Sequence, residues 1–377
     1  MVQDLYTLGK DLYGDAKTID KPLLIFYKRH MRICQVMLSS GFGGAERLFV
    51  DACLCLADRG HRILAVCHPG FEALSQLQHP NIQLFSLTVH YDWSYLATVR
   101  LRRAMRDFRP QIIHSHLARG AAVAGRAGAA ENIPIAANLH NYVKLKYYKQ
   151  ISHFIPGTID QKVYLGRQGV RQDRITVIPH FSRIPVARSV EKPDRYTEDN
   201  PPTLLSYGRF VKKKGFHILL ESLAILREKG LTIHLILGGD GPEKKNLLQQ
   251  IADLNLADQV ELCGWIEDVE RFLSRSPYFI LSSLDEPFGI VILEAMAKGK
   301  IVISTTSQGP REILDDASAY LVPTDDPNAL AGAIRKAIEA PEEAAGKAAR
   351  ARDIYQQTYA PDVIIPMYER AFQQLIG

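Results

Sequence analysis

The sequence lacks any apolar run of the about 18 residues that a membrane-spanning helix needs. Its early apolar stretch, PLLIFY at residues 22–27, is too short for the core of a signal peptide, and no small-residue cleavage site follows it. We therefore expect the chain to stay in the cytoplasm.

Cysteine is scarce as well. The chain has five cysteines, an odd number, and their spacing matches no metal-ligand pattern. Cys53 and Cys55 lie in an apolar helical run, where buried thiols are expected. Nothing in the spacing indicates a disulfide framework, and we expect no metal site.

The chain also carries little net charge. Its 46 lysines and arginines exceed its 41 acidic residues by five, which permits an anionic ligand or membrane headgroups but does not require nucleic acid. The sequence has no zinc-finger, RNA-recognition or basic-zipper pattern, so we expect no nucleic-acid partner.

What the sequence does contain is a regular alternation of strands and helices. Five short apolar strands alternate with helices after Met31, one helix being predicted over Ala124–Asn132, and six more strands follow from Thr203. This pattern predicts right-handed β-α-β units and parallel sheets. Because 377 residues exceed the usual size of one core, we expect two doubly wound α/β halves facing each other across a cleft.

A segment rich in charge and proline, Val186–Pro202, separates the halves and is interpreted as a linker. A helical tail, broken near Pro361, follows the last strand. We predict an unassigned N-terminal extension at residues 1–30 and two Rossmann-like domains, at residues 31–190 and 203–355. The last predicted part is a C-terminal helix at residues 356–377 that packs back on the first domain.

Two glycine-bearing loops suit an anionic ligand. SSGFGGAERL, at residues 39–48, follows a strand and opens a helix, so Gly43 and Gly44 let backbone amides approach a phosphate. GRFVKKKG, at residues 208–215, brings Arg209 and Lys214 to the end of another strand, where both cations can converge on a phosphate. The alternatives are a tight strand-to-helix connection and an exposed basic loop.

Three further features also follow strand ends. The turn LGGDGPEKK at residues 237–245 places Gly239 in similar geometry, and Trp265 either stacks on a base or packs under a loop. His114 and His116 end one strand and His140 the next. Since side chains alternate along a strand, we expect only one of the first two histidines to face the cleft.

Glu286 and Glu294 lie eight positions apart in SSLDEPFGIVILEAMAKGK, residues 282–300, around an almost wholly apolar run. They are either a loop acid and an exposed helix acid, or two carboxylates that point into one cleft and bind hydroxyls. Pro287 and Gly289 are expected to turn the chain from a buried strand into a buried helix.

In this order and spacing, the motifs resemble those of glycosyltransferase family 4, whose members are retaining enzymes with the GT-B fold. The resemblance runs from Met31 to the C-terminus. GGAER is similar to the first glycine loop, GRFVKKKG to the phosphate motif, and EPFGIVILE to the pair of glutamates with seven residues between them. GGDGPE and VELCGWIEDV match in order. The resemblance implies an acceptor-binding first domain and a nucleotide-sugar-binding second domain.

The resemblance implies a role for each motif residue. Arg209 and Lys214 would hold the pyrophosphate and, with Glu286 and His140, form the catalytic set. Glu294 would accept hydrogen bonds from ribose hydroxyls, and Glu286 would bind the transferred sugar. The other expected donor contacts, including the backbone that meets the base, are at Gly43, Gly44, Gly239, Trp265, Phe288, Gly289 and Ile290.

His116 and His140 would lie near the acceptor or the reacting sugar. The segment SQGPREIL departs from the glycine-rich loop that is commoner in the family, so Gln308 and Gly309 are expected to shift donor or acceptor contacts. The implied donor is a nucleotide-sugar, with UDP as the expected nucleotide, and the transfer retains the anomeric configuration. No D-x-D motif is present, so the two cations would stabilise the leaving phosphate without a metal or other cofactor.

The acceptor half carries basic sequence. One helix holds four arginines (Arg102, Arg103, Arg106 and Arg109), and NYVKLKYYKQ at residues 141–150 alternates lysines with tyrosines. Such a surface suits an anionic lipid-linked or saccharide acceptor and peripheral contact with the inner membrane face, whereas ordinary solvated faces are the alternative. We expect a role in building lipopolysaccharide or another cell-surface glycan.

Other functions stay open from the sequence. A nucleotide-sugar epimerase shares this fold, and a non-catalytic nucleotide-sugar-binding protein would keep the same motifs. A hydride-transferring dehydrogenase fits less well, because no G-x-G-x-x-G motif follows a strand.

Overall fold

The computed structural model describes residues 30–89, 94–197 and 199–377. The predicted extension over residues 1–30 therefore lies outside the described residues, apart from His30. Residues 32–377 form one compact unit. Within the described part of this unit, the strands assemble into two six-stranded parallel sheets, each with its own apolar core. The α/β class predicted from the alternation is confirmed.

The first sheet and its helices occupy residues 32–167. Its strands are β1 (Arg32–Met37), β2 (Arg62–Cys67), β3 (Ile82–Ser86), β4 (Ile112–His116), β5 (Ile135–Leu139) and β6 (His153–Pro156). Its helices are α1 (Gly44–Asp58), α2 (Tyr95–Phe108), α3 (Leu117–Glu131) and α4 (Ile159–Arg167).

The second sheet occupies residues 203–322. Its strands are β7 (Thr203–Tyr207), β8 (His234–Gly238), β9 (Val260–Gly264), β10 (Tyr278–Leu281), β11 (Ile301–Thr305) and β12 (Tyr320–Val322). Its helices are α5 (Phe216–Glu228), α6 (Lys244–Asp253), α7 (Val269–Leu273), α8 (Ile290–Ala297) and α9 (Pro310–Ile313).

Both sheets have the same strand order. The first runs β3-β2-β1-β4-β5-β6 and the second β9-β8-β7-β10-β11-β12, so each has the doubly wound order of a dinucleotide-binding fold. The order reverses between β1 and β4 in one sheet and between β7 and β10 in the other. Ligands of such sheets bind outside the carboxyl ends of the strands at that reversal. The four loops that follow these strands are therefore the first place to look for a site.

Helix α3 begins earlier than the sequence indicated. The predicted helix started at Ala124, but α3 starts at Leu117, directly after β4. Gly120 explains the difference: a Cβ there would lie 3.1 Å from the backbone oxygen of Val36 in β1, so a glycine is needed for the close packing. This glycine lowers helix propensity, and packing against the sheet overrides it.

Strand β6 was not predicted. It has only four residues and ends on Pro156, which weakens any strand signal. It nevertheless pairs in parallel with β5, from Ala136 opposite His153 to Leu139 opposite Pro156. As an edge strand, β6 needs its backbone donors on one side only, and a proline at its end is tolerated.

The C-terminal segment forms three helices, α10 (Pro327–Glu339), α11 (Pro341–Ile354) and α12 (Pro361–Ile376), with a π-helical segment at Tyr355–Tyr359. The predicted break near Pro361 is confirmed, and Pro341 starts a further helix that the sequence analysis had merged with its neighbour. Prolines at both starts cost nothing, because the first backbone N–H groups of a helix have no partner within it.

Helix α12 contacts the first half of the chain. Tyr368 donates a hydrogen bond of 2.8 Å to Oδ1 of Asn138 in β5. Glu369 accepts hydrogen bonds from Arg59 at 2.7 Å and shares one of 2.8 Å with Nε2 of His61. Burial alone would raise the pKa of Glu369, but the bonds from His61 and Arg59 outweigh it and lower that pKa to about 2.

The chain passes between the halves twice. The first crossing, at residues 182–202, has almost no regular structure, and Ala187 donates a backbone hydrogen bond of 2.8 Å to Ala297 of α8. The second is the π-helical segment, whose Tyr355 hydroxyl donates to the backbone oxygen of Ser182 at 2.7 Å. The two crossings therefore lie side by side. The bounds of the predicted domains stay predictions.

Buried thiols were expected at Cys53 and Cys55, and both side chains are buried. None of the helices in the described ranges has the length and apolar character that crossing a bilayer requires.

Candidate active site

The two halves touch at the segments that follow β1, β9 and β10. In the first half, α1 starts at Gly44 after the glycine loop, and the Gly43 N–H donates to Oε2 of Glu46 at 3.0 Å. A Cβ built on Gly44 would lie 3.5 Å from Cδ1 of Ile290, the first residue of α8 in the second half. The structure thus brings together two positions predicted to contact the donor.

Arg47 makes the most direct link between the halves. Its Nη1 donates to Oε1 of Glu294 at 3.2 Å, and its Nη2 donates to the carbonyl oxygen of Ile266 at 2.9 Å. The guanidinium also lies 5.3 Å from the centre of the Phe42 ring. Arg47 was not among the predicted donor contacts, although GGAER contains it. Its partners lie more than 200 positions away, and no local pattern could name them.

Glu294 is buried, with 4% of its surface exposed. The Tyr207 hydroxyl donates to its Oε2, while Arg47 occupies Oε1. Burial raises the pKa of Glu294, and the charge of Arg47 and the two hydrogen bonds only partly oppose that rise. Of the two expectations for Glu294, an exposed helix acid is wrong, since the side chain points into the contact between the halves. Tyr207, the last residue of β7, was also missed.

Glu286 pairs with Lys214. Nζ of Lys214 donates to Oε2 of Glu286, and Ser283 donates to the same oxygen at 3.4 Å. Gly215 makes this pairing possible, because its φ is +63° and a Cβ there would lie 2.0 Å from the backbone oxygen of Ser282. The loop after β7 is thereby pressed onto the end of β10, which sets the lysine beside the carboxylate.

The loop that carries Glu286 is held from its other side by residues 308 and 309. The Gly309 N–H donates to the Glu286 carbonyl at 2.8 Å, and Oε1 of Gln308 accepts from the Glu286 N–H at 3.3 Å. A Cβ on Gly309 would lie 2.2 Å from the backbone oxygen of Phe288, so only glycine fits. Gly289 has a φ of +99° and precedes the first residue of α8. Gln308 and Gly309, the two residues of SQGPREIL that were expected to shift donor or acceptor contacts, thus contact the Glu286 loop directly.

Arg209 lies at the same strand end and is exposed. Within the described ranges its guanidinium makes no hydrogen bond or ion pair, whereas Lys214 is paired with Glu286. The Lys214 chain passes beside Gly208, since a Cβ there would lie 3.7 Å from its Cε. The two cations are therefore neighbours. Lys212 and Lys213 are exposed, as expected.

Gly239 and Trp265 occupy adjacent strand ends. A Cβ on Gly239 would lie 2.0 Å from the backbone oxygen of Gly208, and its N–H donates to the Gly264 carbonyl at 2.6 Å. Gly239 therefore joins the loops after β7 and β9. The Trp265 side chain is 40% exposed, so it does not pack under a loop.

The histidines meet at one place in the first half. His114 and His116 are two positions apart in β4 and lie on the same face of the sheet, with ring centres 4.5 Å apart. The expected alternation between faces is wrong, because residues i and i+2 of a strand share a face. Only His116 of this pair shares a hydrogen bond with His140, at 3.1 Å.

His180 completes this group and was missed by the sequence analysis. Its ring lies 5.1 Å from that of His140 and 4.4 Å from that of Phe288, so it joins the histidines to the second half. Burial lowers the pKa of His114 to about 3 and of His180 to about 4, and it lowers those of His116 and His140 far below the usual range. All four imidazoles are therefore neutral near pH 7.

A separate contact joins α4 to α9. The two carboxylate oxygens of Glu312 accept from the N–H groups of Ile159 and Asp160 at 2.7 and 2.8 Å. Arg311 forms an ion pair of 3.0 Å with Asp160. A carboxylate at the N-terminus of a helix satisfies donors that have no partner within the helix. This contact holds the two halves together without any ligand.

A cavity of about 420 Å³ lies between the halves beside Glu294. Arg47 and Asp51 of α1 form one wall, and Glu267 and Asp268 before α7 form another. Burial raises the pKa of Asp51 to about 6, although Arg183 opposes this. The cavity is polar and lies beside the loop between β9 and α7, which suits a ligand rich in hydroxyls.

Each half of the chain matches a known family model. Residues 42–181 match the model described as Glycosyltransferase Family 4, and residues 188–353 match that described as Glycosyl transferases group 1.

Relatives and solved structures agree. The lipopolysaccharide core biosynthesis glycosyltransferase LpsE of Rhizobium meliloti (strain 1021) is 30% identical over 307 residues, which cover 78% of this chain and 86% of LpsE. LpsD of the same organism is 29% identical over 335 residues, 87% of this chain and 95% of LpsD. The crystal structure of Anabaena Alr3699/HepE in complex with UDP and glucose superposes with a TM-score of 0.78 at 21% identity, over 92% of this chain and 100% of the other.

The apo form of the lipopolysaccharide outer core galactosyltransferase WaaB superposes with a TM-score of 0.70 at 16% identity, over 91% of this chain and 99% of WaaB. The family models, the relatives and the fold lead to one conclusion: the chain belongs to the family 4, group 1 glycosyltransferases and is a glycosyltransferase with the GT-B fold.

Proposed function

We propose that this glycosyltransferase moves a sugar from a nucleotide-sugar, with UDP as the nucleotide, to a saccharide or lipid-linked acceptor, with retention at the anomeric carbon. One observation carries the proposal most directly. An exposed guanidinium (Arg209) and a lysine–glutamate pair (Lys214 and Glu286) follow the carboxyl ends of β7 and β10. A buried glutamate, Glu294, lies beside them in α8.

The cations suit a departing pyrophosphate. As the bond to the anomeric carbon breaks, negative charge develops on the phosphate, and preorganised cations lower the barrier most when they need not rearrange. Glu286 holds Lys214 in place, and Arg209 has no partner among the described residues that a phosphate must displace. In this role the two cations stabilise the leaving group without a metal ion.

The glutamates suit hydroxyl recognition. Glu294 would accept hydrogen bonds from the ribose, and Glu286 from the transferred sugar, each through an oxygen lone pair that the present contacts leave unused. Closure of the halves would exclude water and suppress hydrolysis of the donor. Gly43, Gly44, Gly239, Trp265, Phe288, Gly289 and Ile290 are proposed to complete the donor site, and His116 and His140 to lie near the acceptor.

We further propose a role in building lipopolysaccharide or another cell-surface polysaccharide. The names of LpsE and LpsD support it. The crystallisation of Alr3699/HepE with UDP and glucose supports the proposed UDP-sugar donor.

Peripheral contact with the inner face of an anionic membrane is proposed at α2. Tyr95 and Leu96 are 76% and 74% exposed at its start, and Arg103 and Arg109 are exposed further along. Arg102 and Arg106 contribute less, because both bind Glu131. In the segment at residues 141–150 the exposed lysines contribute, whereas two tyrosines do not, because Tyr148 is buried in the core and Tyr142 donates to Asp160.

A donor screen followed by a transfer assay tests the proposal. UDP-sugars should raise the melting temperature by mass action, whereas nucleotide-sugars with other bases should raise it less. Once a bound donor is identified, the protein is incubated with that donor and extracted glycolipids in the presence of EDTA. The product should have the same anomeric configuration as the donor, as measured by NMR. Epimerised donor without transfer would instead identify an epimerase. An unchanged glycan phenotype in cells carrying Glu286→Gln would indicate a non-catalytic role.

A further inference from the structure

Three side chains form a hydrogen-bonded chain from the core of the first half toward the second half. Gln35 lies within β1 and is fully buried. Its amide oxygen lies 3.2 Å from Nε2 of His116 and 3.0 Å from Nδ1 of His114. Nδ1 of His116 lies 3.1 Å from Nε2 of His140. We refer to Gln35, His116 and His140 as the relay.

The chemistry of Gln35 gives the relay a direction. An amide oxygen can only accept, so His116 must carry a proton on Nε2 to donate to it. Because buried His116 is neutral, its Nδ1 then has no proton and must accept from Nε2 of His140. His140 is neutral too, which leaves its own Nδ1 unprotonated. Across the described ranges this Nδ1 has no hydrogen-bond partner.

We propose that Gln35 and His116 are positioning residues that hold His140 in the tautomer with its proton on Nε2, which leaves Nδ1 as a bare hydrogen-bond acceptor. The atom would accept a hydroxyl of a bound saccharide, and that part of the inference rests on the proposed function. The tautomer itself does not depend on it.

The surroundings support a fixed tautomer. Gln35, His114 and His116 are all 0% exposed, so water does not compete for the hydrogen bonds to the Gln35 oxygen. A neutral histidine in water uses both tautomers, whereas a buried hydrogen-bond chain permits only the one that satisfies each member. His140 is held on both sides by the rings of His116 and His180, at centre distances of 5.3 and 5.1 Å.

The test is nitrogen-15 NMR of the full chain with labelled histidine, at pH 7.5 and without ligand. Protonated and bare ring nitrogens differ widely in chemical shift, and single-residue variants assign the signals. In the wild type, Nδ1 of His140 should be bare. His116→Phe keeps a ring but removes the acceptor, so His140 should become a mixture of tautomers. His116→Asn keeps an oxygen near the position of Nδ1 and should restore the wild-type pattern.

His114→Phe is the matched control. His114 is as buried as His116 and binds the same Gln35 oxygen, but it makes no hydrogen bond to His140. Its replacement should lower stability to a similar extent while leaving the His140 tautomer unchanged. If His116→Phe does not fold, the wild-type spectrum alone decides the matter.

A proton on Nδ1 of His140 in the wild type would overturn the inference, and so would an unchanged tautomer in His116→Phe. Once a donor and acceptor are turned over, His116→Phe should lower the transfer rate about five- to tenfold, the worth of one neutral hydrogen bond, and His116→Asn should recover it. The NMR result needs no substrate. A protein that turns over no nucleotide-sugar would therefore contradict the proposed function and leave the tautomer test intact.

Discussion

The two halves of the molecule share a strand order but differ in the chemistry at the point where that order reverses. In the second half, the loops after β7 and β10 carry Arg209, Lys214 and Glu286, and α8 carries Glu294. Three of these four residues are paired. In the first half, the ends of β4 and β5 carry His116 and His140, which are neutral. The same topology therefore places charged side chains at these positions of the second half and neutral imidazoles at the ends of β4 and β5, while Arg47 of α1 supplies a charged contact from the first half.

This difference suggests a division of labour. Charged groups bind a charged leaving group tightly and hold it still, whereas neutral groups accept or donate single hydrogen bonds without attracting a competing ion. The second half would then bind the donor phosphate, and groups of both halves would bind the sugar hydroxyls where the halves meet. Three experiments test this difference between the halves, in order of decreasing expected effect.

Removing the lysine of the second half should have the largest effect. Lys214→Met should lower kcat/KM about 100- to 1000-fold, since a preorganised charge at a developing anion is worth that much. Initial rates over a range of donor concentrations measure it. Lys213→Met is the matched control, because Lys213 is exposed and its ion pair is a long one, with Nζ 4.0 Å from Oδ2 of Asp285. Equal losses in the two variants would contradict the assignment.

Cutting the bridge between the halves should have an intermediate effect. Arg47→Met leaves Glu294 with one fewer partner and frees the Ile266 carbonyl, so donor affinity should change about tenfold or more. Calorimetric titration with the donor that the thermal screen identifies measures it. Arg62→Met, which removes an exposed arginine of the same half, controls for charge. If donor affinity is unchanged in Arg47→Met, the bridge is structural only.

The smallest effect on activity is expected far from the cleft, at Glu369. Its pKa is lower when folded than its ordinary value, so its stabilisation is present above about pH 4.5 and is lost as pH falls toward 2. Glu369→Gln should therefore lower the free energy of unfolding by about 1–3 kcal/mol at pH 7 and leave kcat unchanged. Urea denaturation at pH 7 and pH 4 gives the comparison. If the difference in the free energy of unfolding between the wild type and Glu369→Gln were larger at pH 4 than at pH 7, the predicted pH dependence would be wrong.

The sequence predicted the second half better than the first. Its six strands, the glycine positions and the nearness of Arg209 to Lys214 all follow from local patterns, because each motif sits directly at a strand end. In the first half, the sequence did not predict β6, whose four residues and proline give little signal. It also did not predict the true start of α3, where packing overrides the low helix propensity of a glycine.

Within the site, the unpredicted residues are those whose role arises from distant partners. Arg47 meets Glu294 across 247 positions, Tyr207 meets it across 87, and Glu312 meets α4 across 153. Each has an ordinary local context, so only the assembled fold reveals it. The placement of His114 and His116 was mispredicted for another reason: the period of a strand was applied to the wrong spacing.

The side-by-side crossings at Ser182 and Tyr355 have a mechanical consequence. Two bodies joined by a pair of adjacent connections can rotate about that pair while both connections keep their length, whereas sliding apart would stretch both. We expect opening of the molecule to be a swing about this edge, with the backbone torsions changing near residues 182–187 and 355–360. Substrates would then enter from the opposite edge, which neither of these two connections crosses.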